Sequence, residues 1–199
     1  LLDTDAQRLC VQTERFTDGS VQGRLLVMDA ATGALQQEPV DVPNSTWQLA
    51  GADAAGRLLF TEMAGAGMRL WLAGADLEPL GAEAVLPVYA PASMSPQGQV
   101  LATETVRHRI AVFDGELKPL RTIATGHELM NLVADPGADR AYANDSEGRV
   151  HTIDTAANVV LTSIVAGAGA LALDAANGLL FVGREPEGSE IAVVDTAAL

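Results

Sequence analysis

Five acidic residues occupy matching places along this chain, each near the end of a short apolar run. They are Glu14, Glu62, Glu104, Asp145 and Glu185. Carboxylate oxygens are the ligands that Ca²⁺ and Mg²⁺ prefer in proteins. A ring of carboxylates on one face of the molecule would therefore suit a divalent cation. This pattern makes Glu14, Glu62, Glu104 and Asp145 a candidate metal site, and the sequence indicates no other cofactor.

The basic residues that follow these acids give the pattern a second interpretation. Four copies open the next apolar run with an arginine, namely Arg24, Arg69, Arg109 and Arg149. Residues that flank a tight turn between antiparallel strands can face each other, and opposite charges there attract modestly. In the fifth copy the charges are reversed, with Arg184 before the turn and Glu190 after it. Because this reversal preserves opposite charges, ion pairs such as Glu62–Arg69, Glu104–Arg109 and Asp145–Arg149 are favoured over the metal site.

Histidines, a neighbouring basic residue and two aromatic residues are the remaining candidates for ligand binding. These candidates are His127 with Glu128 beside it, Arg107 with His108, and the aromatic residues Trp47 and Tyr89. Each has a simpler interpretation, since aromatic residues also pack between elements and one His beside one Glu lacks a metal-ligand spacing. His151 lies inside an apolar run and is expected to be packed or at the rim. No nucleophile motif, phosphate-binding loop or dinucleotide-binding motif is present.

The elements that must position these residues come from an internal repeat. An apolar run that ends in Asp and opens a turn occurs at residues 25–29, 110–114, 150–154 and 191–195, with a weaker copy at 70–74. The copies begin 45, 40, 40 and 41 residues apart. A period of about 40 residues with several short strands in each period is typical of β-propeller blades. The sequence therefore predicts an all-β fold, a β-propeller of four-stranded blades.

The repeat also predicts the limits of the blades, whose strands are named a to d from the central channel outward. Blades are expected at residues 1–42, 43–86, 87–126, 127–167 and 168–199, in one domain. The fifth copy includes strands a to c, so that about 4.8 blades are present. Strand d is expected at the outer edge because proline recurs in it, at Pro79 and Pro119. We expect the chain to be part of a seven-bladed propeller, and a five-bladed ring is the alternative.

The repeats resemble those of the YVTN-type propellers, including the YncE-like proteins. The resemblance is best in Ala134-Asp-Pro-Gly137, Arg140-Ala-Tyr-Ala-Asn144, Val150-His-Thr-Ile-Asp154 and Ile164-Val-Ala-Gly167, and it extends to Ile191-Ala-Val-Val-Asp-Thr196. This resemblance implies an extracytoplasmic setting, periplasmic or extracellular, although residues 1–20 show no signal-peptide pattern. It also implies that the d–a connections line the mouth of the channel, which makes His127 the best single candidate for ligand contact.

Composition narrows the classes of partner. The chain has 26 acidic and 12 basic residues and a net charge of −14, so nucleic acid would be repelled. No apolar stretch is long enough to span a membrane comfortably. The single cysteine, Cys10, is expected to be a buried apolar residue.

Three functions are compatible with these observations. The first is a binding protein that engages a small ligand, a cation or a protein through the face formed by the d–a and b–c loops. The second is a lactonase-like hydrolase, because lactonase-type propellers carry similar repeats. The third is the non-catalytic propeller subunit of an oxidoreductase complex of the amine-dehydrogenase type. The sequence favours the first.

Overall fold

The computed structural model describes residues 2–3, 8–17, 20–42, 47–74, 76–95, 97–135, 138–184 and 190–199. Nineteen strands in this part of the chain form five separate sheets. Four sheets have four strands and the last has three, and neighbouring strands within every sheet are antiparallel.

The sheets follow one another along the chain. The first contains β1 (Leu2–Asp3), β2 (Arg8–Thr17), β3 (Ser20–Asp29) and β4 (Val40–Val42). The second contains β5 (Trp47–Ala52), β6 (Leu58–Ala64), β7 (Gly67–Ala73) and β8 (Pro79–Leu86). The third contains β9 (Ala92–Met94), β10 (Val100–Glu104), β11 (Arg109–Phe113) and β12 (Pro119–Ala124). The fourth contains β13 (Leu129–Ala134), β14 (Arg140–Asp145), β15 (Arg149–Asp154) and β16 (Val159–Val165). The fifth contains β17 (Leu171–Asp174), β18 (Leu179–Arg184) and β19 (Glu190–Asp195).

Each sheet is an up-and-down meander whose strand order in space equals its order in sequence. Five consecutive meanders, four of four strands and one of three, are the pattern that the repeat predicted. The all-β propeller fold is therefore confirmed. Each sheet lies within one of the five predicted blade ranges.

The core lies between neighbouring sheets, and the third strands of the first four sheets supply apolar side chains to it. Leu25 and Val27 of β3 pack with Phe60 of the second sheet. The matching residues of the next three sheets are also buried, and each packs against the sheet that follows it. They are Leu70 and Leu72 in the second sheet, Ile110 and Val112 in the third, and Val150 in the fourth. Because both faces of the inner strands are covered by neighbouring sheets, β10 is buried at all five positions.

The outermost strands have a different pattern because only one side of each is covered. Exposed and half-buried residues alternate along β16, which is the edge strand of the fourth sheet. The strands β8 and β12 are also edge strands, and each begins at a proline. The placement of Pro79 and Pro119 at the outer edge agrees with the prediction, since an edge strand tolerates a missing N–H donor.

The aspartates that end the repeated run stabilise the turns that follow. Asp29 Oδ1 accepts a hydrogen bond from the backbone N–H of Thr32 at 2.7 Å, and Asp114 Oδ1 accepts one from Lys118 at 2.9 Å. Asp154 and Asp195 accept similar bonds from Ala157 and Ala197. In the first, third and fourth sheets these bonds pre-form the turn between the third and fourth strands, and in the fifth sheet the bond begins the 3₁₀ turn that follows β19. The helices among the described residues are two short 3₁₀ turns, Thr105–Arg107 and Thr196–Ala198, and none there is long enough to cross a membrane.

Candidate functional site

A cavity of about 250 Å³ lies where the first strands of four sheets come together. Its walls include residues of β5, β9, β13 and β17, represented by Gln48, Ala92, Asn131 and Leu171. Because one cavity is lined by the innermost strands of four different sheets, it marks the axis about which the sheets are arranged. We call it the axial cavity.

The axial cavity has a mixed lining. Gln48, Thr61, Asn131 and Tyr89 contribute polar groups, whereas Leu49, Met68, Leu132 and Leu171 contribute apolar surface. Tyr89 is 51% exposed and lies in the connection that precedes β9. A concave site that combines apolar surface with several polar groups can hold and orient a small molecule.

Two asparagines fix one wall of the axial cavity. Asn131 Nδ2 donates to Asn144 Oδ1 at 3.0 Å and to the carbonyl of Gly169 at 3.2 Å. Asn144 Nδ2 donates to the same carbonyl at 2.6 Å, and Asn144 is completely buried. The amides therefore join the fourth sheet to the segment that leads into β17. The sequence did not predict these contacts, because the carbonyl that both amides share belongs to the next repeat.

The two aromatic candidates have different places. Tyr89 lines the axial cavity. Trp47 is the first residue of β5, and its ring lies 4.6 Å from that of Trp71 and 6.3 Å from that of Phe60. Phe60 and Trp71 stack on each other at 4.5 Å. Trp47 is thus part of the packing between the first two sheets, not of the axial cavity lining.

The charged residues at the b–c turns form ion pairs in the second, third and fifth sheets. Glu104, whose side chain is 3% exposed, accepts hydrogen bonds from Arg109 at 2.8 Å and from Arg107 at 3.0 Å. Glu62 pairs with Arg69 at 3.3 Å, and the reversed pair Arg184–Glu190 is 3.4 Å apart. These pairs match the ion-pair interpretation of the pattern.

Arg149 has a partner that differs from the predicted one, and the predicted partner of Arg24 has a side chain outside the described residues. Arg24 pairs with Asp41 at 2.8 Å, whereas the side chain of Glu14 and all of Glu185 lie outside the described residues. The predicted Asp145–Arg149 ion pair is wrong, since the guanidinium of Arg149 pairs with Glu147. The backbone N–H groups of Glu147 and Arg149 both donate to Asp145 Oδ1 at 2.9 Å, which holds that oxygen inside the turn.

The predicted carboxylate ring is not formed by the described side chains. Glu62 and Glu104 are neutralised by arginines within their own sheets, and neither converges with Asp145. Glu62 and Glu104 lie beside arginines of their own sheets and Asp145 lies beside two histidines, so the contacts of Glu62 and Glu104 match the ion-pair interpretation of the pattern.

Arg107 and His108 lie at the b–c turn of the third sheet. The carbonyl of His108 accepts hydrogen bonds from the N–H groups of Thr125 and Gly126, at 2.9 and 3.3 Å. The residue has a left-handed backbone, with φ of 52°, and an exposed side chain. These bonds place the b–c turn beside the d–a connection that carries His127, and Glu128 follows it with an exposed side chain.

His127, Asp145 and His151 form a compact group at this face. Asp145 Oδ2 lies 2.9 Å from His151 Nε2 and 3.9 Å from His127 Nδ1. The two imidazole rings stack with centroids 4.3 Å apart and planes at 29°. Among the described residues this is the one set of three His, Cys, Asp or Glu side chains whose ligand atoms lie within 4.8 Å of one another. We call it the His–Asp–His group.

The environment of Asp145 favours its ionised form. Burial raises the pKa of this carboxyl, but the backbone N–H of Arg149, the ring of His151 and the N–H of Glu147 lower it, and the net pKa is below the ordinary aspartate value. His151 is completely buried, and its Nδ1 lies 2.7 Å from Ser163 Oγ on β16. His151 is thus packed, which is one of the two places predicted for it, and the sequence did not predict its contact with Asp145.

The five radially arranged sheets and the axial cavity define the chain as a β-propeller. No protein-family model matches its sequence, and no curated protein does. Similarity appears only among solved structures.

The structure is similar to the β-propeller domain of Cps50 (Swd1) from Myceliophteria thermophila, with a TM-score of 0.63 and 14% identity. That match covers 89% of this chain and 65% of the domain, so this chain spans less than two thirds of its length. The structure is also similar to a luciferin-regenerating enzyme, with a TM-score of 0.62 and 16% identity over 99% of this chain and 72% of the enzyme. At such identities these similarities show the fold alone.

Proposed function

We propose that this chain is a binding protein of the YVTN-type, YncE-like class that takes up a small ligand in the axial cavity. The observation that carries the proposal is the open cavity of about 250 Å³ at which the first strands of four sheets meet. Its volume is close to the lower end of the range for small-molecule sites, about 300 Å³. The ligand class is accordingly a compact molecule, not a macromolecule.

Charge and polarity restrict the ligand further. Gln48, Thr61, Asn131 and the Tyr89 hydroxyl offer hydrogen-bond donors and acceptors, and the named lining residues carry no formal charge. The net charge of −14 disfavours anions. A neutral or cationic molecule with a few polar groups suits this surface best.

The experiment uses a defined panel of free amino acids, monosaccharides and small amines, each tested by thermal shift and then by calorimetry. We expect at least one compound to raise the melting temperature and to bind about tenfold more weakly to Tyr89→Ala. Leu161→Ala, at an exposed position of β16, is the matched control and keeps full affinity. The proposal fails if no compound binds, or if Tyr89→Ala binds as tightly as the unaltered chain.

We further propose that the natural propeller has seven blades and lies outside the cytoplasm, in the periplasm or the extracellular space. The presence of a further blade is supported by Ile191 and Val193, which are 66% and 58% exposed, whereas Ile110, Val112 and Val150 at matching positions pack against a following sheet. The number seven is supported by the similarity of the repeats to those of YVTN-type propellers. The setting is supported by the similarity of the repeats to those of YncE-like proteins. An intact mass of the natural protein near 280–300 residues, with about 40 residues per blade, agrees with seven blades. A five-bladed mass contradicts them, and fractionation of the natural host tests the setting.

A lactonase-like hydrolase is the second candidate function. Two observations favour it: the fold similarity to the luciferin-regenerating enzyme, and the presence of two histidines around one ionised carboxylate at the loop face. The assay is hydrolysis of small lactones with and without added divalent metal. Turnover that disappears in His127→Ala supports this function, and no turnover under either condition removes it.

A further inference from the structure

We propose that the His–Asp–His group binds one divalent transition-metal ion of the zinc class. The ligands are His127 Nδ1, Asp145 Oδ2 and His151 Nε2. This site differs from the carboxylate ring that the sequence suggested, and it does not depend on a ligand in the axial cavity.

The spacing of the three donor atoms suits one ion. Zinc binds imidazole nitrogen and carboxylate oxygen at about 2.0–2.2 Å, so two donors on one ion lie roughly 3–4 Å apart. The 2.9 Å separation of His151 Nε2 and Asp145 Oδ2 and the 3.9 Å separation of His127 Nδ1 and Asp145 Oδ2 match that range. All three donor atoms lie within 4.8 Å of one another, and rotation of the His127 ring out of its stack on His151 would bring the third donor to the ion.

Two of the three ligands are already fixed in place. Asp145 Oδ1 accepts two backbone N–H bonds, which leaves Oδ2 directed at both imidazole rings. His151 is buried on β15, and Ser163 Oγ contacts the nitrogen that would not bind the ion. Metal-binding histidines nearly always have such a partner on the other ring nitrogen, because it fixes the ring and its tautomer.

The third ligand provides access. The His127 side chain is 41% exposed and lies in a connection, so its ring can turn away from the stack on His151 and admit an ion from solvent. Three protein ligands leave a fourth position for water, the arrangement found in reactive zinc sites rather than closed structural ones.

Binding requires a defined proton movement. An ionised Asp145 can only accept a hydrogen bond, so the proton of a neutral His151 in the metal-free group lies on Nε2. On binding, that nitrogen loses its proton and bonds to the ion, the proton of His151 resides on Nδ1 and is donated to Ser163 Oγ, and the ring stays neutral. A neutral His127 with its proton on Nε2 has a free lone pair on Nδ1, so it binds the ion without losing a proton. Because bound imidazoles must be unprotonated, affinity falls as the solution becomes acidic.

The donor set selects among metals. Two imidazole nitrogens and one carboxylate suit Zn²⁺, Co²⁺ and Ni²⁺, whereas Ca²⁺ and Mg²⁺ prefer oxygen ligands throughout. We therefore expect Zn²⁺ to bind with a stoichiometry of one and Ca²⁺ to leave the group unaffected.

The experiment titrates the full chain with ZnCl₂ by calorimetry, and with CoCl₂ by visible absorption, which reports the coordination of Co²⁺. His127→Ala removes an exposed ligand and is expected to weaken Zn²⁺ binding by at least about tenfold. His108→Ala removes an exposed histidine of the neighbouring sheet and is the matched control, with unchanged affinity. Ser163→Ala, which removes the partner of His151 Nδ1, is expected to weaken binding by about tenfold as well.

Two results would overturn the proposal. One is failure of the unaltered chain to bind Zn²⁺, and the other is equal affinity in His127→Ala, which would show that the ion binds elsewhere. Because the variants change partly exposed or peripheral side chains, circular dichroism should show native folding in each. Neither result depends on whether the axial cavity binds a ligand, so the two proposals fail separately.

Discussion

Asp145 and His151 lie diagonally across the hairpin of β14 and β15, with Oδ2 and Nε2 separated by 2.9 Å. The register places Asn144 opposite Val150, so that Arg149 is the direct neighbour of Asp145 and His151 is the diagonal one. The turn fixes Asp145 Oδ1 through backbone N–H bonds, and the free oxygen reaches the diagonal residue. Asp145, at the end of β14, thus contacts His151 on the buried strand β15 and lies 3.9 Å from His127 in the connection before β13.

The lowered pKa of Asp145 predicts a pH-dependent contribution to stability. A carboxyl whose pKa is lower in the folded chain stabilises it above the unfolded value of about 3.9. This contribution is lost as the pH falls through the lower folded pKa. In urea unfolding experiments Asp145→Asn should therefore be less stable than the unaltered chain at neutral pH, with the difference shrinking below about pH 4. Glu128→Gln, at an exposed neighbour, is the control, and a difference that is independent of pH would contradict this prediction.

Ile110 and Ile191 occupy matching positions, but replacing each by alanine should change the free energy of unfolding by very different amounts. Ile110 is fully buried between the third and fourth sheets, whereas Ile191 is 66% exposed. Ile110→Ala should lower the free energy of unfolding by about 2–5 kcal/mol. Ile191→Ala should change it by less than about 0.5 kcal/mol. Chemical denaturation of both variants checks this, and equal losses would mean that the fifth sheet has a covered face in solution.

The buried carboxylate of Glu104 predicts a stabilising ion-pair network at the third b–c turn. Glu104→Gln removes the charge that Arg107 and Arg109 share and should cost about 1–3 kcal/mol. The more exposed Glu62, treated in the same way, should cost no more than about 1 kcal/mol. Thermal unfolding of the two variants side by side compares them. A larger loss at Glu62 would show that burial does not determine the strength of these pairs.

Because the Trp47 ring is packed and Tyr89 is exposed, replacing Trp47 should destabilise the chain, whereas replacing Tyr89 should not. Trp47→Ala should destabilise the chain by about 2–4 kcal/mol and change the near-ultraviolet circular dichroism, because its ring contacts Trp71 and Phe60. Tyr89→Ala, at a 51% exposed position, should leave stability nearly unchanged. The reverse order of effects would place Trp47, not Tyr89, at the binding surface.

The sequence predicted the sheets better than the contacts between them. The regular spacing of the runs at 110–114 and 150–154 reflects a local constraint, since each aspartate forms its own turn. Ion pairs within a hairpin, such as Glu104–Arg109, could be predicted for the same reason. The contact between Asn131 and the carbonyl of Gly169 could not be predicted, because it depends on how one sheet is seated against the next. The contact between His151 and Asp145 could be predicted only from the exact strand register, because the register decides which residues are direct and which are diagonal neighbours.

The measurement that tests the central claim most directly is a methyl-labelled NMR titration with a compound that binds in the thermal-shift panel. Met68, Leu132 and Leu171 belong to three different sheets but line the same axial cavity. We expect their methyl resonances to shift together along one saturation curve, while those of Leu161 and Val165 on the outer strand β16 stay in place. Shifts confined to β16, or three cavity methyl groups that respond independently, would contradict ligand binding in the axial cavity.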